Sequence, residues 1–165
     1  KEENAKKQVF VRDVDIDTDI EMLIPDYYVS NIQERLALYT ELDKLETEND
    51  IIHFNGVLKD RFGTVPSQVN ELFDGLRIRM LAKKLGFERI VLKNKKMNCY
   101  FITNAQSMYF ETQVFNQIMQ YVASDGHFRG LSMKQSNNFL IMTKENVRTL
   151  KDAREILTTI MDKIS

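Results

Sequence analysis

Asp60-Arg61-Phe62-Gly63-Thr64-Val65-Pro66 is a corner between two helices, and the segments on either side are organised by it. Before it, Ile51, Phe54, Leu58 and Phe62 recur at helical spacing; after it, Val69, Leu72, Phe73, Leu76 and Met80 do the same. Gly63 suits the left-handed position that closes a helix, because it has no Cβ to clash there. Pro66 suits the first turn of the next helix, where its missing N–H costs nothing. Asp60 is the odd member. It lies in the last turn, where the helix dipole disfavours a carboxylate by roughly 0.3–1 kcal/mol, and it points away from the Ile51/Leu58/Phe62 face. Its outward neighbours are His53, Gly56 and Val57, with Arg61 on the flank. Two readings stand. The ordinary one pairs Asp60 with a surface cation such as Arg77, since such pairs are common and weak. In the other, a small residue, an exposed valine and a wrongly signed carboxylate together make a docking face.

The chain has 165 residues, enough for one domain with a sizeable core. Residues 1–165 are read as a single domain, with 1–13 as a flexible lead-in or linker. At 43% hydrophobic and 28% charged, the composition is that of an ordinary globular protein. Lys+Arg number 23 against 24 Asp+Glu, so no overall field draws the chain to nucleic acid or an anionic membrane. No apolar run reaches the ~20 residues that span a bilayer, and no signal peptide is expected. A single cysteine rules out an internal disulfide and a multi-cysteine metal site, and favours a reducing, cytoplasmic setting. The opening Lys-Glu-Glu-Asn lacks a methionine and suggests a piece of a longer protein.

Residues 1–8 are polar and expected to fray. Val14, Ile16, Thr18, Ile20 and Met22 then alternate with Asp15, Asp17, Asp19 and Glu21, the period of a half-buried strand with an acidic outer row. The Asp-x-Asp-x-Asp spacing also fits a calcium loop. However, Ile20 stands where the sharp turn needs glycine, and Asp26 where a bidentate glutamate belongs, so strand is preferred. Ser30-x-x-Gln33 reads as a capping box opening a helix to about Glu46, with Ile32, Leu36 and Tyr39 as its buried stripe and Leu38, Leu42 and Leu45 beside it. Thr47-x-x-Asp50 reads as a weaker cap for the helix ending at Phe62. Gly56 inside that helix costs roughly 1 kcal/mol against alanine, so something is expected to approach its backbone closely.

The helix from Pro66 to Leu85 changes its apolar face midway, from Val69/Leu72/Phe73/Leu76/Met80 to Ile78/Leu81/Ala82/Leu85. A helix apolar on two sides lies between two layers, and Gly86 stops it. Residues 87–94 and 97–103 read as a hairpin turning at Asn94-Lys95-Lys96, and 108–123 as a helix. A second hairpin covers 127–134 and 138–143, turning at Ser136-Asn137-Asn138. Thr149-x-x-Asp152 caps a closing helix. The expected fold is α+β: a helical hairpin and a central helix packed on a small antiparallel sheet, with strand-strand-helix order repeated in the back half.

Chemistry is sparse. No phosphate-binding glycine loop occurs. His53 and His127, the only histidines, have no second strong ligand at metal spacing, and Asp125 beside His127 is a weak pair. Cys99 alternates with Met97 and Phe101 and reads as a core thiol. Phe87, Phe101, Phe110 and Phe115 fit buried positions. No enzyme, cofactor, metal or small-molecule ligand is expected. The cations Arg77, Arg79, Lys83, Lys84, Arg89, Lys93, Lys95 and Lys96 are locally dense, with Arg77 and Lys84 on one helix edge. They offer an alternative function as an accessory nucleic-acid surface, set against a solvated face among interleaved carboxylates.

Four spaced motifs carry a resemblance: Leu23-Ile24-Pro25-Asp26-Tyr27-Tyr28-Val29, then Arg35-Leu36-x-x-Tyr39, then Asp60-Arg61-Phe62-Gly63-x-x-Pro66, then Leu81-Ala82-x-x-Leu85-Gly86. In this order they closely resemble the C-terminal domain of the bacterial transcription-repair coupling factors, the Mfd family. The motifs cover about residues 14–90; residues 91–165 agree in the order of elements. The resemblance implies a regulatory domain of a large ATP-driven DNA translocase that displaces stalled RNA polymerase and recruits UvrA through an N-terminal, UvrB-like module. In the resting state the domain would dock on that module and mask its UvrA-binding surface. Carried over by position, the docking residues are Asp60 and Arg61. Where the family often has glutamate this chain has Val57, so an apolar contact is expected to replace part of a polar one. On this resemblance the docking reading of Asp60 takes precedence over the pair with Arg77.

Overall fold

A computed structural model of the chain describes residues 9–164. Its strands and helices run β1 (Asp15–Thr18), α1 (Ile32–Asp43), α2 (Glu48–Phe62), α3 (Ser67–Leu85), β2 (Phe87–Lys93), β3 (Lys96–Phe101), α4 (Gln113–Ala123), a one-turn α5 (Asp125–Phe128), β4 (Leu131–Ser136), β5 (Phe139–Glu145) and α6 (Leu150–Ile164). Strand-strand-helix order therefore occurs twice after α3, as the sequence implies.

The starts of α1, α2, α4 and α6 follow side-chain caps. Asn31, and not Ser30, caps α1: its Oδ1 accepts from the Glu34 N–H at 2.9 Å. Thr47 and Asp50 form a full reciprocal capping box on α2, a stronger cap than the sequence suggests. Thr149 Oγ1 accepts from the Asp152 N–H at 3.0 Å to open α6. The expected helix over 108–123 is interrupted. Met108–Glu111 is a 3-10 turn, and Thr112, whose hydroxyl accepts from Phe115, restarts the chain as α4.

The apolar stripe assigned to α1 is a correction. Ile32 and Leu36 are 64% and 60% exposed, and the buried residues are Leu38 and Leu42. Tyr39 keeps an anchoring role, its Oη accepting from the Ile24 N–H at 2.7 Å.

The sheet has the order β1-β2-β3-β5-β4. Four strands are antiparallel neighbours, but β1 joins β2 in parallel, so the sheet is mixed. The expected strand over 14–22 shortens to four residues. In the first hairpin, Asn94 and Lys95 both take positive φ, the two-residue turn whose twist matches its strands. The second hairpin starts later than expected, because 125–128 coil into α5. Of the expected lead-in, residues 1–8 lie outside the described residues. In 9–13, Val11 is buried and the Phe10 ring meets Tyr109 edge-on at 5.8 Å.

Two apolar clusters fill the interior, and α3 belongs to both. Val69 and Phe73 pack with Leu38, Leu42, Ile51, Phe54 and Leu58 of the helical hairpin. Ile78, Ala82 and Leu85 pack with the inner sheet face, including Ile90, Leu92, Met97 and Cys99. The midway change of face in α3 is this crossing from one cluster to the other. Each large side chain fully buried here contributes about 1.5–3 kcal/mol. Burial also pushes the Cys99 thiol well above its ordinary range, as befits a core thiol.

Gly86 closes α3 at φ +97°, and a Cβ there would lie 2.1 Å from the Tyr109 ring. The buried Tyr109 hydroxyl donates to the Leu85 carbonyl across that gap. Burial pushes this phenol above its usual range. Glycine is required twice over, by torsion and by space.

Candidate docking face

The corner after α2 is held from the other side of the chain. Gly63 donates to the Lys59 carbonyl at 3.0 Å and sits at φ +89°, ψ −160°. This is not the left-handed well expected from the sequence. It is an extended, positive-φ region that is still more strictly reserved for glycine. The Tyr28 hydroxyl lies 2.9 Å from the Gly63 carbonyl and 3.1 Å from that of Leu58, offering its one O–H to carbonyls that lack a donor at the end of the helix. Its ring packs on Phe62 at 5.7 Å. Arg35 in turn donates to the Val29 carbonyl at 2.8 Å. The first two motifs are thus scaffold for the third: Tyr28, Arg35 and Tyr39 tie the 24–29 turn and α1 to the end of α2.

With α2 fixed at both ends, its outer face presents His53, Gly56 and Asp60 to solvent, with Val57 half-buried beside them. An ideal Cβ on Gly56 has no heavy atom within 4 Å, so nothing inside the described residues demands a glycine there. The Asp60 carboxylate makes no hydrogen bond or ion pair among the described residues. The pair with Arg77 is not formed. That guanidinium donates to Glu48 through Nε at 2.9 Å and Nη2 at 2.8 Å, and through Nη1 to Asp74 at 3.1 Å.

Arg61 is exposed but already engaged: its Nη2 pairs with Glu34 of α1, and its guanidinium lies over the Phe62 ring at 4.8 Å. Glu34 is the charged neighbour that reading the sequence missed. No local signal marks it, because the pair spans two helices and exists only through their packing.

The basic run divides. Arg77, Arg89, Lys93 and Lys96 are paired, the last three with Asp17 at 3.1 and 3.0 Å and with Glu145 at 3.5 Å. Lys93 and Arg89 hold the Asp17 carboxyl below its usual value. The acidic outer row of β1 is therefore the partner of these cations. Arg79, Lys83, Lys84 and Lys95 make no ion pair among the described residues. Arg77 and Lys84 share a cleft of about 590 Å³ with Arg154, Glu46 and Glu48. Among the described residues no cluster of three metal-ligating side chains occurs, and no helix is long and apolar enough to cross a membrane.

Buried Asp74 is the other polar centre. It accepts from Arg77 and, at 2.8 Å, from Arg154 Nε of α6. Through Arg77 and Glu48 this network ties the start of α2 to α3 and α6, at the point where α3 crosses between the two clusters.

Comparison with known proteins gives three findings. The TRCF domain family model matches residues 18–112. The transcription-repair-coupling factor of Rickettsia typhi is 25% identical over 160 residues, covering 96% of this chain and 13% of the relative. That of Staphylococcus aureus strain USA300 is 25% identical over 152 residues, covering 88% and 13%. The chain thus spans about an eighth of the length of the curated relatives it matches. A solved structure, the crystal structure of a C-terminal domain of transcription-repair coupling factor, superposes with a TM-score of 0.70 at 14% identity over 92% of each chain. The likeness in fold includes the back half, where the sequence motifs run out.

Proposed function

The chain belongs to the TRCF domain family, and on that premise we propose that it is the autoinhibitory clamp of a transcription-repair coupling factor. The outer face of α2 docks on an N-terminal, UvrB-like module of the same polypeptide and masks the surface that binds UvrA. The parent is read as a cytoplasmic, ATP-driven DNA translocase that displaces stalled RNA polymerase in transcription-coupled repair. The motors that hydrolyse ATP lie outside this chain, which supplies docking and no catalysis.

One observation carries the reading. Asp60 is an exposed carboxylate at the unfavourable end of its helix, with no ion pair among the described residues. Its position is more naturally explained by a cation outside the chain than by anything inside it. A contact that must release favours such polar groups over a broad apolar patch. The nucleic-acid alternative has less support, because four of its eight cations are already neutralised.

The test is a pull-down between this chain and the N-terminal module of its parent. Asp60→Lys is expected to weaken the complex at least fivefold and to raise UvrA binding by the full-length parent. Unchanged UvrA binding, with the variant folded, would refute the clamp.

A further inference from the structure

The sheet ends in two unlike edges. β1 is four residues long and carries Asp15 and Asp17, the kind of short, charged edge that resists further pairing. β4 is six residues long, lacks proline, and keeps unbroken register with β5 from Leu131↔Lys144 to Ser136↔Phe139. Its hairpin turn has two residues, Asn137 and Asn138, so Ser136 and Phe139 exchange both hydrogen bonds. Alternation along the ladder gives the same exchange to Lys134/Ile141 and Ser132/Thr143. Met133 and Gln135 must then turn their N–H and C=O groups away from β5. Among the described residues no backbone group meets them.

Two cations lie along this edge. Arg129 and Lys134 are exposed and make no ion pair among the described residues. The nearby carboxylates are Asp125 on α5, Asp152 and Glu155, which share a cleft of about 360 Å³ with Arg129, and Glu145, which pairs with Lys96. Phe128, the last residue of α5, is 89% exposed. In the register that sets Met133 against Gln135 of a second copy, antiparallel pairing of β4 with itself brings two Lys134 ammonium groups together.

We propose that β4 is a docking edge for an extended, acidic segment of a partner protein, which adds to the sheet as a sixth strand. Met133 and Gln135 take its main chain, Arg129 and Lys134 its carboxylates, and Phe128 one of its apolar side chains. This surface is separate from the α2 face and does not depend on the clamp reading.

The probe is a blocked nine-residue peptide of alternating Glu and Val, with a Lys/Val peptide as control, added at low salt to the isotope-labelled chain. The Glu peptide is expected to slow amide exchange at Met133 and Gln135 at least tenfold, and the Lys peptide to leave it unchanged. Gln135→Pro deletes an outward N–H and spares the β4–β5 ladder; it should weaken binding tenfold or more. Lys134→Glu, which leaves the backbone alone, should do the same. Equal protection by both peptides, protection confined to other amides, or undiminished binding by the folded variants would overturn the proposal. So would the same protection arising from self-association without peptide.

Discussion

Substituting Gly56 separates the fold from the docking function, because the two should respond with opposite sign. Gly56 lies in the interior of α2, where glycine costs about 1 kcal/mol relative to alanine. A Cβ there meets nothing within 4 Å, so no clash offsets that gain. Gly56→Ala should therefore stabilise the isolated chain by about 1 kcal/mol, a rise of about 2–4 °C in Tm for a chain of this size. In the proposed complex the same methyl would enter a surface that glycine leaves open for a partner's backbone. Overpacking a fitted contact costs about 1–3 kcal/mol, which corresponds to about 5- to 150-fold in affinity. Urea denaturation reads the first quantity, and calorimetric titration with the parent's N-terminal module reads the second. If affinity is unchanged while stability rises, Gly56 lies outside the contact. If stability falls, the open space around it is misassigned.

Three further outcomes follow from the scaffold. Asp74→Ala strands Arg154, while Arg77 keeps Glu48; since Arg154 is about a quarter exposed, the low end of the range for a broken buried pair applies, about 3 kcal/mol. A double-mutant cycle with Arg154→Ala in urea melts should be non-additive, and additivity would dissolve the network. Gly86→Ala should cost about 3 kcal/mol or more, from positive-φ strain plus displacement of Tyr109. Gly63→Ala, with open space around its Cβ, should cost only the strain, about 1–3 kcal/mol. Equal losses at the two glycines would contradict the role given to Tyr109.

The cap of α2 is sensitive to pH. Asp50 accepts from the Glu46 and Thr47 N–H groups, which hold its carboxyl below the ordinary 3.8. A depressed folded-state pKa means that its contribution is complete above that value and is lost as pH falls through the folded one. Thermal melts between pH 5 and pH 2 should show this loss reduced in Asp50→Asn; an identical acid profile would remove the cap from the account.

What the sequence determined by itself was local. The corner at Gly63, the stop at Gly86, the caps at Thr47 and Thr149 and the turn at Asn94-Lys95 depend on torsions and hydrogen bonds within a few residues, and so could be read without the fold. The crossing of α3 between two layers was legible for a related reason: its apolar residues change sides along one helix. Partner choice was decided only by tertiary structure. Ile32 and Leu36 satisfy helical spacing as well as Leu38 and Leu42 do, and only the packing of α1 through Leu38 and Leu42 settled which pair is buried. The direction of β1, the pairing of Arg61 with Glu34 and the claim of Glu48 on Arg77 join residues from 27 to 74 positions apart. An exposed charge finds its counter-ion by proximity in space, and periodicity in the chain carries no record of it.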